Sequence, residues 1–265
     1  MMNYKNDFKN GIVIIGAGNV ATHIALALKN ANYSIKSIYS QTEKSAQNLA
    51  EKINSSFTTH IEKLPDNADI YVIAVKDTII EDIAKKLNIL SGIVVHTAGS
   101  VPMSVFESYF KNFGVFYPLQ TFTKSRNLAF SEIPLCIEAN NNNAENKLLN
   151  LAESLSKKVA LVNSEKRKIL HLAAVFACNF TNHMYSIGYE LLSDQHIDFN
   201  LLHPLINETA KKATEMSPID AQTGPAMRQD NKTIDMHLKM LKDYPEFEKI
   251  YRFVSDSIFT LNNKD

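Results

Sequence analysis

Ile12-Val13-Ile14-Ile15-Gly16-Ala17-Gly18-Asn19-Val20-Ala21 is the stretch on which the reading of this chain turns. Four apolar, β-branched residues end in a G-x-G-x-x-A turn. From Asn19 to Asn30 the pattern becomes helical, with Val20, Ile24 and Leu28 on one side. Each small residue has a mechanical reason. Gly16 permits a tight turn, Gly18 lets a pyrophosphate approach the backbone, and Ala21 lets the helix pack closely on the strand. The new helix turns its free N–H groups toward the phosphates. The stretch therefore predicts a dinucleotide held on Gly16, Ala17, Gly18, Asn19 and Val20. A glycine turn without a ligand is the alternative, and the strand–turn–amphipathic helix context weighs against it.

Outward from this turn, apolar runs keep alternating with helical patterns. Ser34–Ser40, Asp69–Val75 and Gly92–His96 read as strands, with weaker signals at Phe113–Tyr117 and Leu135–Glu138. Thr42–Ile53 and Ile79–Leu87 read as helices. Continuous apolar strands separated by helices predict an α/β Rossmann domain, a doubly wound and mainly parallel sheet covered on both faces. The asparagine run Asn140–Asn143 reads as a polar loop. Near residue 160 the pattern changes. Ile169, Leu172, Ala173, Phe176, Phe180, Met184, Ile187 and Leu191 recur in steps of three and four, predicting one helix of about seven turns over Lys166–Leu192. Further helical patterns cover Leu201–Met216, Lys232–Leu241 and Glu246–Leu261. Two domains are expected: a dinucleotide-binding domain over 1–162, and an all-helical domain for substrate and dimerisation over 163–265. Asn163 or Ser164 would be the N-cap of the long helix.

The second strand decides which dinucleotide. An NAD-binding chain places a carboxylate at its end, about 20 residues after the turn, to bind the ribose 2′-hydroxyl. Here the strand ends Ile38-Tyr39-Ser40-Gln41-Thr42, and Glu43 is the first carboxylate. Ser40, Gln41 and Thr42 can hydrogen-bond a 2′-phosphate without repelling it, and Lys44 adds charge. NADP is thus expected in preference to NAD, although no arginine is present. The alternative is a plain helix start capped by Thr42. Val75, at the end of the third clear strand, would lie beside the cofactor. In His96-Thr97-Ala98-Gly99-Ser100, Thr97 and its small neighbours leave room for the nicotinamide ribose, and His96 is either a proton donor or a structural histidine.

Composition excludes several classes. Lys+Arg and Asp+Glu both number 28, so no basic excess points to nucleic acid. Cys136 and Cys178, the only cysteines, have no metal or redox spacing and build no disulfide framework, which predicts a reducing, cytoplasmic setting. The polar start Met1–Asn10 and the short run Ile12–Ile15 make neither a signal sequence nor a membrane span. Two histidines on the long helix, with no carboxylate beside them, do not make a metal site.

Several segments together resemble one family: Gly16–Ala21, His96–Ser100, Tyr117-Pro118-Leu119-Gln120-Thr121-Phe122, His171 with Asn179, and Thr223-Gly224-Pro225-Ala226-Met227-Arg228-Gln229-Asp230. It is an NADP oxidoreductase-like family with a Rossmann domain and a C-terminal helical domain of unknown function. Its wider relatives are pyrroline-5-carboxylate reductase, ketopantoate reductase and the 6-phosphogluconate dehydrogenase class. The resemblance implies a reductase architecture with a helical, often dimer-forming second domain, and supplies no substrate. Hydroxyacid dehydrogenases of that class carry a catalytic lysine four residues before a helix asparagine. Here Val175 stands four before Asn179, and no lysine occurs between Ile169 and Leu192, so that pair is not carried over.

On a helical wheel His171, Cys178 and Asn182 fall within roughly 40° of one another, with Asn179 about 80° from His171. Buried polar groups need partners, so these residues either face a cleft between the domains or are satisfied within a core or dimer interface. Arg228, after Gly224-Pro225, suits a carboxylate or phosphate, or else pairs with Asp230. Tyr117 offers a phenol to the substrate at the cleft, or else is a strand end packed by Pro118. The resulting expectation is an NADP-dependent reductase or dehydrogenase of a small polar keto, hydroxy or imino acid-like substrate. His171 or His96 would be the acid or base, Asn179 would orient the substrate, and Arg228 would bind its anionic group. The rivals are a non-catalytic dinucleotide-binding sensor or assembly partner, and use of a deazaflavin in place of the nicotinamide. A helix as apolar as Ile169–Leu191 predicts a homodimer through the helical half.

Overall fold

The computed structural model describes residues 8–263. Met1–Asp7 of the polar start, and Lys264 and Asp265, lie outside the described residues. Contacts divide the chain into two compact units, the first ending at Cys178 and the second beginning at Asn179.

The first unit is built on β1 (Ile12–Ile15), α1 (Asn19–Asn30), β2 (Ile35–Tyr39), α2 (Glu43–Ile53), β3 (Ser56–Thr58), β4 (Ile70–Ile73), α3 (Ile80–Lys86), β5 (Ile93–His96), β6 (Phe113–Pro118), β7 (Leu135–Ala139), α4 (Asn142–Leu155), β8 (Val159–Leu161) and α5 (Ser164–Ala174). The eight strands form one sheet in the order β3-β2-β1-β4-β5-β6-β7-β8. Pairing is parallel throughout except between β6 and β7. Every residue of β1, β4, β5 and β6 is buried, as expected where helices cover both faces. Ile12, Ile14, Val72 and Val95 pack under α1 and α4, and Val13, Ile15, Tyr71 and Val94 pack under α3.

Register places the carboxyl ends of these strands on one edge. Ile15 pairs with Tyr39 and Ile73, Ile73 pairs with His96, and His96 pairs with Val115. Gly16, Ser40, Ala74, Thr97 and Phe116 therefore emerge side by side. The chain reverses direction across the sheet at β1, the switch point where ligands bind in such folds.

Two expectations change. Asn140–Asn143 is not a loop: Asn141 is the N-cap of α4, its side chain accepting from Ala144 N–H at 3.0 Å, and Asn142 and Asn143 begin the helix. Asparagine is favoured at that position because its side chain satisfies an otherwise unpaired helix donor. The long helix is not one regular element either. A wide turn, Val175–Phe180, in which the hydrogen bonds step by five residues, separates α5 from α6 (Thr181–Ser193). A turn of that kind rotates the residues beyond it about the helix axis. The 100° wheel that grouped His171 with Cys178 and Asn182 does not carry through it. The weakly apolar β3 and β8, and helix α4, were not read from the sequence.

The second unit continues with α6 and adds α7 (His203–Glu215), α8 (Asn231–Met240) and α9 (Pro245–Asn262). The expected boundary at 162/163 falls where α5 starts, with Asn163 as its N-cap accepting from Lys166 N–H at 3.0 Å. The contact-based division falls in the wide turn instead.

Candidate functional site

The turn after β1 separates its two glycines by role. Gly16 has φ +123°, and a Cβ there would lie 2.2 Å from the Ala74 carbonyl oxygen. Its N–H donates to the Tyr39 carbonyl at 2.7 Å. Gly16 is required by the fold itself, because β1 and β4 pass so close. Gly18 has an ordinary φ of −78° at the N-cap of α1, and a Cβ there would meet nothing within 4 Å. No packing demands glycine at 18, so the space above it is a cradle that a side chain would fill. The residues present thus fit a dinucleotide pyrophosphate over the start of α1. Ala17 is buried, Asn19 exposed and Val20 half-buried; Asn19 donates to the Phe122 carbonyl at 2.9 Å.

Ser40 is half-buried at the end of β2, and Gln41 and Thr42 are exposed beside it. Thr42 is the N-cap of α2 but makes no capping hydrogen bond with its side chain, so the reading of Thr42 as a plain helix cap loses its bond. Val75 is half-buried, its Cγ1 3.3 Å from where a Gly16 Cβ would sit. Thr97 is buried and donates its N–H to the Ile73 carbonyl at 3.2 Å.

At the same edge the structure brings together residues distant in sequence. Tyr117 Oη and His171 Nδ1 lie 3.0 Å apart, and their rings meet edge to face at 6.0 Å. Burial, reinforced by the Cys136 and Asp77 charges, pushes the Tyr117 phenol up to about 12, so it is protonated at neutral pH. With the Tyr117 hydroxyl as donor, His171 accepts at Nδ1 and presents its N–H at Nε2. Gly99 makes room for this pair: a Cβ there would lie 2.5 Å from His171 Nδ1. Ser100 Oγ donates to the Asp77 carboxylate, joining the loops after β4 and β5.

His171 is held from one turn earlier. Arg167 is fully buried and pairs with Glu138 of β7. It also donates to the Val101 carbonyl at 2.6 Å and to Ser164 Oγ at 3.2 Å. Glu138 accepts from Ser164 N–H at 2.9 Å and from Ser164 Oγ at 2.8 Å, a carboxylate at the positive end of α5. The start of α5 is thereby tied to both β7 and the loop after β5. The sequence reading missed Arg167 and Glu138, because Lys166-Arg167-Lys168 looks like a solvated charge run. The available signal was the i, i+4 spacing of Arg167 to His171. Gly99 belongs to the motif His96–Ser100, but only the fold shows that His171 fills its space.

His96 is fully buried, with Nδ1 accepting from Ala98 N–H at 3.2 Å and its ring edge-on to Phe106 at 5.4 Å. Burial, assisted by the Arg167 charge and opposed by the Pro102 backbone, lowers its pKa to about 3. At neutral pH it therefore carries no imidazolium proton to give.

The two remaining candidates belong to the second unit. Asn179 is exposed in the wide turn, and Arg228 is exposed after Gly224. The Asp230 carboxylate caps α8, accepting from Thr233 N–H at 3.1 Å and Thr233 Oγ1 at 2.7 Å, and these bonds, with the Arg228 charge beyond them, hold it below the usual carboxylate range. Thr223, Gly224, Pro225 and Ala226 line an apolar cavity of about 320 Å³ with Met184 and Tyr251.

A solved candidate NADP oxidoreductase from Bacteroides fragilis is 44% identical to this chain, with 94% of this chain and 97% of that one covered and a TM-score of 0.88. The chain belongs to that family. Residues 11–98 match the family described as NADP oxidoreductase, coenzyme F420-dependent, and residues 133–258 match the domain of unknown function DUF2520. Pyrroline-5-carboxylate reductase from Streptococcus pyogenes shares the fold at 13% identity and TM-score 0.63, covering 94% of this chain and 98% of that one. An imine reductase from Myxococcus stipitatus, solved with NADP+, does so at 15% identity and TM-score 0.62, covering 95% and 92%. No curated protein matches the chain. Among the described residues, no helix of this family member is long and apolar enough to cross a membrane.

Proposed function

We propose that the protein is an NADP-dependent reductase or dehydrogenase of a small polar substrate with a keto, hydroxy or imino group. The observation that carries this reading is the Tyr117–His171 pair, held at the strand edge that also bears the glycine turn. The dinucleotide, when bound, supplies the hydride chemistry. The chain's own part is to place a proton donor and to orient the substrate. With Tyr117 holding Nδ1, His171 presents the Nε2 N–H as the proton donor. Placed proton transfer of this kind contributes ~10²–10⁴-fold. The buried His96 is left a structural role. Asn179, which can donate and accept at once, is assigned to orienting the substrate, and Arg228 to its anionic group. Ser40, Gln41 and Thr42 favour NADP over NAD, since none repels a phosphate.

The same reading includes a cytoplasmic homodimer. Phe253, Leu201 and Met240 of the second unit are 77%, 72% and 70% exposed, and apolar surface of that extent calls for a partner. The missing lysine between Ile169 and Leu192 favours a second reading, a dinucleotide-binding protein without turnover. Screening keto and imino acids for NADPH oxidation decides between them. His171→Ala and Tyr117→Phe should each lower kcat by at least about tenfold and leave NADPH affinity unchanged. Near-normal turnover in His171→Ala would remove His171 from the mechanism, and oxidation of a reduced deazaflavin but not of NADPH would reassign the cofactor.

A further inference from the structure

The loop between β6 and β7 does more than connect them. It crosses α1 and is fastened there at three points. Asn19 Nδ2 donates to the Phe122 carbonyl at 2.9 Å, His23 Nε2 meets the Thr123 carbonyl at 3.1 Å, and the His23 and Phe122 rings lie 4.9 Å apart. The next residue, Lys124, is thereby carried to the groove between α1 and α2. There it lines a cavity of about 130 Å³ with Ala17, Thr22, Ser45, Asn48 and Lys52. The lining holds two ammonium groups, two hydroxyls and an amide, and no carboxylate. Ala17 belongs to the glycine turn and Ser45 to the first turn of α2, so the cavity opens beside the place proposed for the dinucleotide. Ser40, Gln41 and Thr42 are not among its lining residues.

We infer that this cavity is an anion site for a phosphate monoester on the adenosine side of the dinucleotide, with Lys124 and Lys52 as the residues that select NADP over NAD. The inference rests on the proposed binding of a dinucleotide at the glycine turn. A phosphate monoester bears close to two negative charges at neutral pH. Two lysines balance those charges as point cations, while Ser45 and Asn48 supply neutral hydrogen bonds; the Thr22 hydroxyl is spent on the Gly18 carbonyl at 2.8 Å. NAD, with a neutral hydroxyl at that position, offers the ammonium groups no charge. The site also accounts for the absence of an arginine at the end of β2. One of its two cations, Lys124, arrives from the loop after β6, which no reading of the β2–α2 junction alone would find.

The test is a set of binding titrations on the full chain with NADPH, NADH, 2′,5′-ADP and 5′-AMP. Wild type should bind NADPH and 2′,5′-ADP more tightly than NADH and 5′-AMP. Lys124→Ala should weaken NADPH and 2′,5′-ADP by about tenfold or more and leave NADH and 5′-AMP unchanged. Lys124→Arg should restore most of the loss, and Lys52→Ala should act in the same direction. An unchanged NADPH-to-NADH ratio in both alanine variants overturns the inference while sparing the dinucleotide reading. So does an equal loss of NADPH and NADH, which would place the lysines at a phosphate common to both. Failure of the wild-type protein to bind any of the four overturns the dinucleotide reading itself. Because Lys124 is exposed, an unfolded variant is not expected, and an unchanged melting temperature checks this.

Discussion

The two units carry their apolar residues in opposite ways. In the first, α1 alone buries seven residues against the sheet, and β1, β4, β5 and β6 are buried end to end. In the second, α6, α7 and α9 have no fully buried residue, and α8 has only Leu238. The composition of the helices is not the cause, since α9 is at least as amphipathic in pattern as α1. A sheet buries a helix face against a continuous surface, whereas a few helices offer one another only stripes. The first unit is thus stabilised from within, whereas the second leaves large apolar side chains such as Phe253, Leu201 and Met240 at its surface.

The sharpest way to break this contrast is inside the first unit. Gly16→Val must adopt φ +123° and drive a Cβ toward the Ala74 carbonyl, 2.2 Å away, so we expect loss of folding in circular dichroism. Gly18→Val, with open space around its Cβ, should melt as wild type does and lose dinucleotide binding. Equal melting of the two variants would show that the β1–β4 approach is not a constraint.

A smaller effect comes from His96. Its native pKa, lowered from 6.5 to about 3, means that the unfolded chain binds a proton the folded one refuses. Its contribution to stability is complete above pH 6.5 and is lost as pH falls toward 3. At ~1.4 kcal/mol per unit of pKa shift, the loss across that window is a few kcal/mol. Urea midpoints at pH 7 and pH 4 measure it. His96→Asn should flatten the dependence, and an unchanged slope would mean that other groups carry it.

The smallest effect on folding is expected in the second unit. Phe253→Asp replaces a side chain that is 77% exposed, so the fold should change by no more than about 0.5 kcal/mol. Light scattering should nevertheless show a dimer in wild type and a monomer in the variant. A monomeric wild type would remove the argument that association completes this unit.

What the sequence determined by itself was local. Apolar periodicity, a glycine turn and capping residues act over fewer than about twenty residues, so β1, the turn and α1, the helical second half and the Asn163 cap were all legible. The Asn141 cap is local too, and it was missed because a run of asparagines reads as a loop until the alanines and leucines after it are given helical spacing. The tertiary structure alone decided the rest. The docking of α5 on the sheet sets His171 against Tyr117, 54 residues earlier, and that contact gives Gly99 its reason. The packing of α5 on β7 turns Arg167 from an apparent surface charge into a buried one paired with Glu138. The fastening of a loop to α1, a hundred residues earlier, brings Lys124 beside the glycine turn. Each of these pairs is joined by the packing of helices and loops on the sheet, which depends on every element being in place, and no window of sequence contains both partners.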